Sequence, residues 1–200
     1  MINLNLQILK NKNIVIFASG SGSNARCIID HFSDQSKKVE VSLVVSNKTT
    51  AGVLDIAKER EVKTRVIKRS DLSSPEFLSE IVGMDPNLIV LAGFLLKIPQ
   101  EMINTFRGKI VNIHPSLLPK FGGKGMYGMN VHKAVHTAGE GQSGCTVHWV
   151  NENYDEGAII AQNKCDIVSK DSPEDIAKKV LSLEHKTYAT TIEKLLKNDF

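Results

Sequence analysis

Lys109-Ile110-Val111-Asn112-Ile113-His114-Pro115-Ser116-Leu117-Leu118-Pro119 lies near the middle of the chain and decides how the rest is read. Ile110, Val111 and Ile113 form the apolar, β-branched run of a buried strand, yet an amide and an imidazole interrupt it. Residues two apart on a strand project to one face, so Asn112 and His114 should stand side by side near its C-terminal end. Pro115 ends the strand and Pro119 stiffens the turn beyond it. A hydrogen-bond donor fixed beside a base suits attack on a carbonyl, because charge grows on oxygen while a proton leaves the nucleophile. An isolated Asn-x-His also fits a strand end whose side chains only satisfy loop backbone groups. The surrounding sequence has to decide between the two.

Working outward, apolar runs alternate with helical segments. Strands are expected at 13–18, 39–45, 64–67 and 88–92, and helices after Asn24 (Ile28, Ile29, Phe32), over 52–60 and over 75–83. Such alternation implies a parallel sheet covered on both faces, with ligands at the strands' C-terminal ends. The stretches 20–24, 93–96 and 112–118 all follow such ends and should converge on one rim.

The first of these, Ser19-Gly20-Ser21-Gly22-Ser23-Asn24, joins a strand to a helix. Its glycines permit a sharp turn, and the unpaired N–H groups opening the next helix suit a phosphate, although an ordinary βα turn has the same composition. A Gly-x-Gly-x-x-Ala pattern (Gly20, Gly22, Ala25) also invites a dinucleotide. That reading needs a carboxylate at the end of the second strand, where Ser46-Asn47-Lys48 has none, so a monophosphate cradle fits better.

Composition narrows the class. The 200 residues are 42% hydrophobic, which suits one globular domain over 1–200. A net charge of +3 from evenly spread Lys, Arg, Asp and Glu gives no basic arm for nucleic acid. Cys27, Cys145 and Cys165 share no disulfide or metal spacing, which favours packed thiols in a reducing compartment, with the cytoplasm as expected address. No apolar run approaches a membrane span, and Met1 to Lys12 lacks the apolar core of a signal peptide.

Past the central stretch, Phe121-Gly122-Gly123-Lys124-Gly125-Met126-Tyr127-Gly128 holds four glycines in eight residues and reads as a mobile loop beside the rim. His132 and His136 are spaced i, i+4, but no third ligand is grouped with them, so no metal is expected and a surface or interfacial pair is preferred. Residues 144–150 read as a half-buried strand and 158–163 as its successor. The loop between them could carry Asp155 over the rim to orient His114 and favour its protonated form, or be an acidic turn in water. Ser172 and Pro173 open the last helix, in which Glu184-His185 could be merely a solvent-facing pair.

Several stretches in order resemble the folate-dependent phosphoribosylglycinamide formyltransferases of purine synthesis: Ser19 to Asn24, Leu91-Ala92-Gly93-Phe94, Asn112 to Pro119, Gly144-Cys145-Thr146-Val147-His148, and Asp155-Glu156-Gly157. The resemblance implies a single-domain α/β fold, a doubly wound, mostly parallel, Rossmann-like sheet of about seven strands. It implies transfer of the formyl group of 10-formyltetrahydrofolate to the amine of glycinamide ribonucleotide, with no metal and only small-molecule partners. Asn112, His114 and Asp155 match the family's catalytic trio; Gly22, Ser23 and Asn24 its phosphate loop; and Glu184 a ribonucleotide contact. Leu95, Leu96, Ile98, Asn112 and the loop Asn151, Glu152, Asn153, Tyr154 match folate-pocket positions. Two positions depart: an arginine that some members use near the folate tail has Pro75 as counterpart, and the usual His-x-His reads Asn130-Val131-His132. Deformylases and methionyl-tRNA formyltransferases share the chemistry but would need a further domain.

Overall fold

The computed structural model describes residues 11–197. The signal-peptide expectation concerns residues that lie, up to residue 10, outside the described ones. Seven strands form one sheet in the order β3-β2-β1-β4-β5-β6-β7. β1 (Lys12–Phe17), β2 (Val39–Ser46), β3 (Lys63–Val66), β4 (Leu88–Leu91) and β5 (Ile110–His114) are parallel. β6 (Gln142–Trp149) and β7 (Ile159–Asp166) complete it antiparallel. The winding reverses between β1 and β4, which opens a crevice at their C-terminal ends.

Strand alternation divides the core in two. Ile14, Ile16, Val90, Val111 and Ile113 pack on one side against α1 (Ser23–Phe32), α2 (Gly52–Glu59), α5 (Met129–Thr137) and α6 (Pro173–Lys197). Val15, Phe17, Ile89, Leu91 and Ile110 face α3 (Pro75–Gly83) and α4 (Gln100–Thr105) on the other. α4 has no counterpart among the sequence expectations, since six residues show no helical period; Met102 and Ile103 anchor it. β6 is buried from Ser143 to His148 rather than half-buried. Gly144 admits close neighbours where a side chain would not: a Cβ there would lie 2.0 Å from the Asn163 carbonyl oxygen and 2.7 Å from Leu117 Cδ2.

α6 begins as its sequence predicts. The Ser172 hydroxyl accepts from the Asp175 N–H at 3.2 Å, and the Asp175 carboxylate accepts from the Ser172 N–H at 3.1 Å. Further along, the fully buried Tyr188 shares its hydroxyl hydrogen between the carbonyls of Leu91 (2.9 Å) and Val111 (3.1 Å), tying the helix to the end of β4 and to β5 beside it.

Candidate active site

The crevice holds a cavity of about 810 Å³ lined by all three stretches expected at the rim. Asn112 and His114 end β5 on the same face, and His114 is only 3% exposed. The imidazole Nε2 lies 2.8 Å from the Phe121 carbonyl oxygen, to which it donates, and Nδ1 lies 3.4 Å from Asp155 Oδ2.

Asp155 reaches this position from the β6–β7 loop in a left-handed conformation, φ +58°, one that aspartate tolerates better than most side chains. Its Oδ2 accepts from the Gly123 N–H at 2.9 Å, and its Oδ1 lies 3.6 Å from His148 Nε2. The structure thus places Asp155 beside His114 rather than in an acidic turn in water.

Burial raises the Asp155 carboxyl pKa, but the His148 ring, the His114 charge and the Gly123 N–H outweigh it and hold the group below the usual carboxylate range. His114 departs from expectation. Burial lowers it, and although Asp155 and the Phe121 carbonyl raise it as anticipated, they do not overcome the loss of water and the nearby His148. The resting imidazole titrates below its ordinary value, so the protonated form expected from Asp155 alone is not the resting one.

At the opposite wall, Gly20 to Asn24 line the cavity and open α1 with no side-chain cap, leaving the helix's first N–H groups free of one. Gly22 is required for a reason the sequence did not show. Its φ is +81°, and a Cβ there would lie 2.7 Å from Val53 Cα, so the crowding is against α2. Asn24 donates to Glu184 Oε2 at 2.8 Å. Glu184 is buried, which overturns the solvent-facing alternative, and burial pushes its carboxyl up to about 7 despite the Asn24 bond.

Leu95, Leu96, Ile98, Asn151, Asn153 and Tyr154 line the same cavity. Glu152 does not; it lines an adjoining cavity of about 280 Å³ together with Arg69 and Lys97. Lys97 Nζ stands 5.5 Å from the Tyr154 ring centre. His132 and His136 are not a surface pair: His132 is buried with Nδ1 unpartnered and lines the cavity, whereas His136 is exposed. No cluster of three or more His, Cys, Asp or Glu capable of holding a metal occurs among the described residues.

Sequence reasoning placed His148 in the matched stretch Gly144 to His148 but gave it no role. It stands directly opposite Asn112 across the β5–β6 ladder, with Nε2 3.1 Å from the Asn112 amide nitrogen. Antiparallel register between residues 36 apart was the missing signal.

Comparison with known proteins agrees with this geometry. The formyl transferase family model matches residues 12–192. A chloroplastic phosphoribosylglycinamide formyltransferase of Arabidopsis thaliana is 42% identical over 191 residues, 92% of this chain, which spans 65% of that relative's length. The phosphoribosylglycinamide formyltransferase of Haemophilus influenzae is 34% identical over 91% of this chain and 86% of its own. The crystal structure of the Anaplasma phagocytophilum phosphoribosylglycinamide formyltransferase superposes with a TM-score of 0.85 at 32% identity, covering 94% of this chain and 89% of that one. Fold, motif order and family match agree, and the chain belongs to the formyl transferase family.

Proposed function

We propose that this chain, as one formyltransferase domain over residues 1–200, transfers the formyl group of 10-formyltetrahydrofolate to the amine of glycinamide ribonucleotide. The observation that carries the reading is the convergence of Asn112, His114 and Asp155 on one cavity wall, between an uncapped helix N-terminus and an apolar pocket. The first suits the ribonucleotide phosphate. Leu95, Leu96, Ile98 and the 151–154 loop suit the folate ring, with Glu152 in the neighbouring cavity, toward the tail.

Addition of the amine to the formyl carbon places negative charge on the formyl oxygen; as that charge collapses back, the bond from the carbon to the folate N10 breaks and the proton given up by the amine passes to N10, releasing tetrahydrofolate. An Asn112 amide N–H and the His114 imidazole stabilise that charge. His114 reaches the oxygen by exchanging its bond to the Phe121 carbonyl for one to the substrate, which requires the 121–128 loop to shift. Asp155 holds the other ring nitrogen and favours the cation as charge develops. Gly22, Ser23 and Asn24 hold the phosphate, and Glu184 accepts from the ribose once it is ionised.

The partners are small molecules, without nucleic acid or membrane; no helix of the described residues is long and apolar enough to cross one. The three free thiols support a reducing compartment, and we assign the chain to the cytoplasm. Incubation with both substrates tests the activity: tetrahydrofolate should appear only when the ribonucleotide is present. Formate release without ribonucleotide would replace this reading with deformylation, and absence of turnover would reduce it to binding.

A further inference from the structure

We infer that His148 is a positioning residue: its bare Nε2 accepts one of the two N–H groups of Asn112 and thereby directs the other at the reacting oxygen. Each ring nitrogen of His148 has a defined neighbour. Nδ1 lies 2.8 Å from the Trp149 carbonyl oxygen, and a carbonyl only accepts, so Nδ1 carries a proton. In a neutral imidazole Nε2 is then an acceptor, and the Asn112 amide nitrogen lies 3.1 Å from it.

This pairing decides which way the Asn112 amide faces. Turned over, the amide would set its carbonyl oxygen against a bare nitrogen, two acceptors in a site where His148 is 2% exposed. The backbone is shaped to hold the arrangement. Gly157 lies so close that a Cβ would stand 1.7 Å from the Trp149 oxygen and 3.5 Å from His148 Nδ1, so only glycine leaves that carbonyl where Nδ1 needs it. The titratable groups facing the ring are Asp155, whose Oδ1 is 3.6 Å from Nε2, and His114. Asp155 is the competing partner: the ring depresses its carboxyl only when Nε2 carries a proton, and in that form Nε2 would turn to Oδ1 and release Asn112, whereas the neutral ring with a bare Nε2 keeps the amide.

The structural half of this inference stands alone, and only its effect on rate rests on the proposed function. Nitrogen-15 spectra of the ligand-free protein with labelled histidine should show Nδ1 of His148 protonated and Nε2 unprotonated; a protonated Nε2 overturns the inference. His148→Leu should lower kcat about 10- to 100-fold, part of what loss of a whole oxyanion donor costs. The KM for ribonucleotide should hardly move, and His148→Gln, whose amide oxygen can accept, should recover most of the loss. In an Asn112→Ala background His148→Leu should do nothing further to kcat. An undiminished loss in that background, or an effect on KM alone, overturns the inference. Should His148→Leu not fold, the nitrogen spectra and His148→Gln decide. Failure of the wild-type protein to turn over would sink the proposed function while leaving the spectra to test His148.

Discussion

Replacing Asp155 by Asn removes one charge 3.4 Å from His114 Nδ1 and little else, since the amide oxygen can still accept from the Gly123 N–H. At that separation and an effective dielectric of about 20, the charge is worth at most about 5 kcal/mol to the imidazolium, or between 3 and 4 pKa units. The cavity mouth admits water and the loop relaxes, so roughly half, about 2 units, is the expected fall. Because burial already holds His114 below its ordinary value, pH 7 lies on the limb where each further unit removes tenfold of the cation. Turnover at pH 7 should drop about 100-fold, at the lower end of what loss of such a group costs. The sign is specific. Activity that needs the cation is lost as pH rises through the His114 pKa, so the profile of kcat should move about 2 units toward acid, and low pH should restore part of the loss. Tetrahydrofolate formation against pH, with the His114 ring titrated by NMR, measures both. An unmoved profile with near-normal turnover would refute the reasoning, as would full additivity of Asp155→Asn with His114→Ala.

Glu184 keeps its proton to about 7 in the folded chain, against 4.5 ordinarily. Its own contribution to stability should therefore be fully present below about pH 4.5 and fall away toward pH 7, a loss of about 3 kcal/mol; Glu184→Gln should remove that part of the pH dependence in denaturant titrations while weakening ribonucleotide binding. Gly22→Ala meets both positive φ and Val53, and should destabilise by about 2 kcal/mol or more, whereas Gly20→Ala meets nothing within 4 Å and should leave stability unchanged. Equal stabilities by chemical denaturation would contradict that contrast. Amide exchange across residues 121–128 should slow when both substrates bind, and identical exchange with and without them would show that His114 does not trade its Phe121 partner.

The strand–helix alternation was legible because β1, β2, β4 and β5 are separate, mainly apolar runs, and Asn112 with His114 was legible because two polar residues at period two interrupt one of them. α4 was not, being too short to show a period. Electrostatic balance was hidden for another reason. The approach of Asp155 to His114 could be guessed from order along the chain, but the extent to which burial outweighs it depends on everything packed around the ring. His148 and the reason for Gly22 both lie in contacts between distant segments, one across the β5–β6 register and the other against α2. Glu184 is the converse case: it sits on a long helix among charged neighbours that read as solvent-facing, and only the docking of α6 onto α1 buries it.

Tyr188 turns the site into a ruler. Its hydroxyl pins α6 to the last carbonyl of β4 and to the Val111 carbonyl of β5, one residue before Asn112, and Glu184 stands one helical turn, about 6 Å, along the same helix. The helix cannot slide along the sheet without giving up both carbonyls in a region with no water to replace them. The span from Glu184, proposed to hold the sugar, to Asn112, proposed to receive the formyl oxygen, is thus a fixed length, set by packing. If the proposed function holds, an amine carried on a linker one methylene longer than glycine's should overshoot the formyl carbon even with every contact at its phosphate end made.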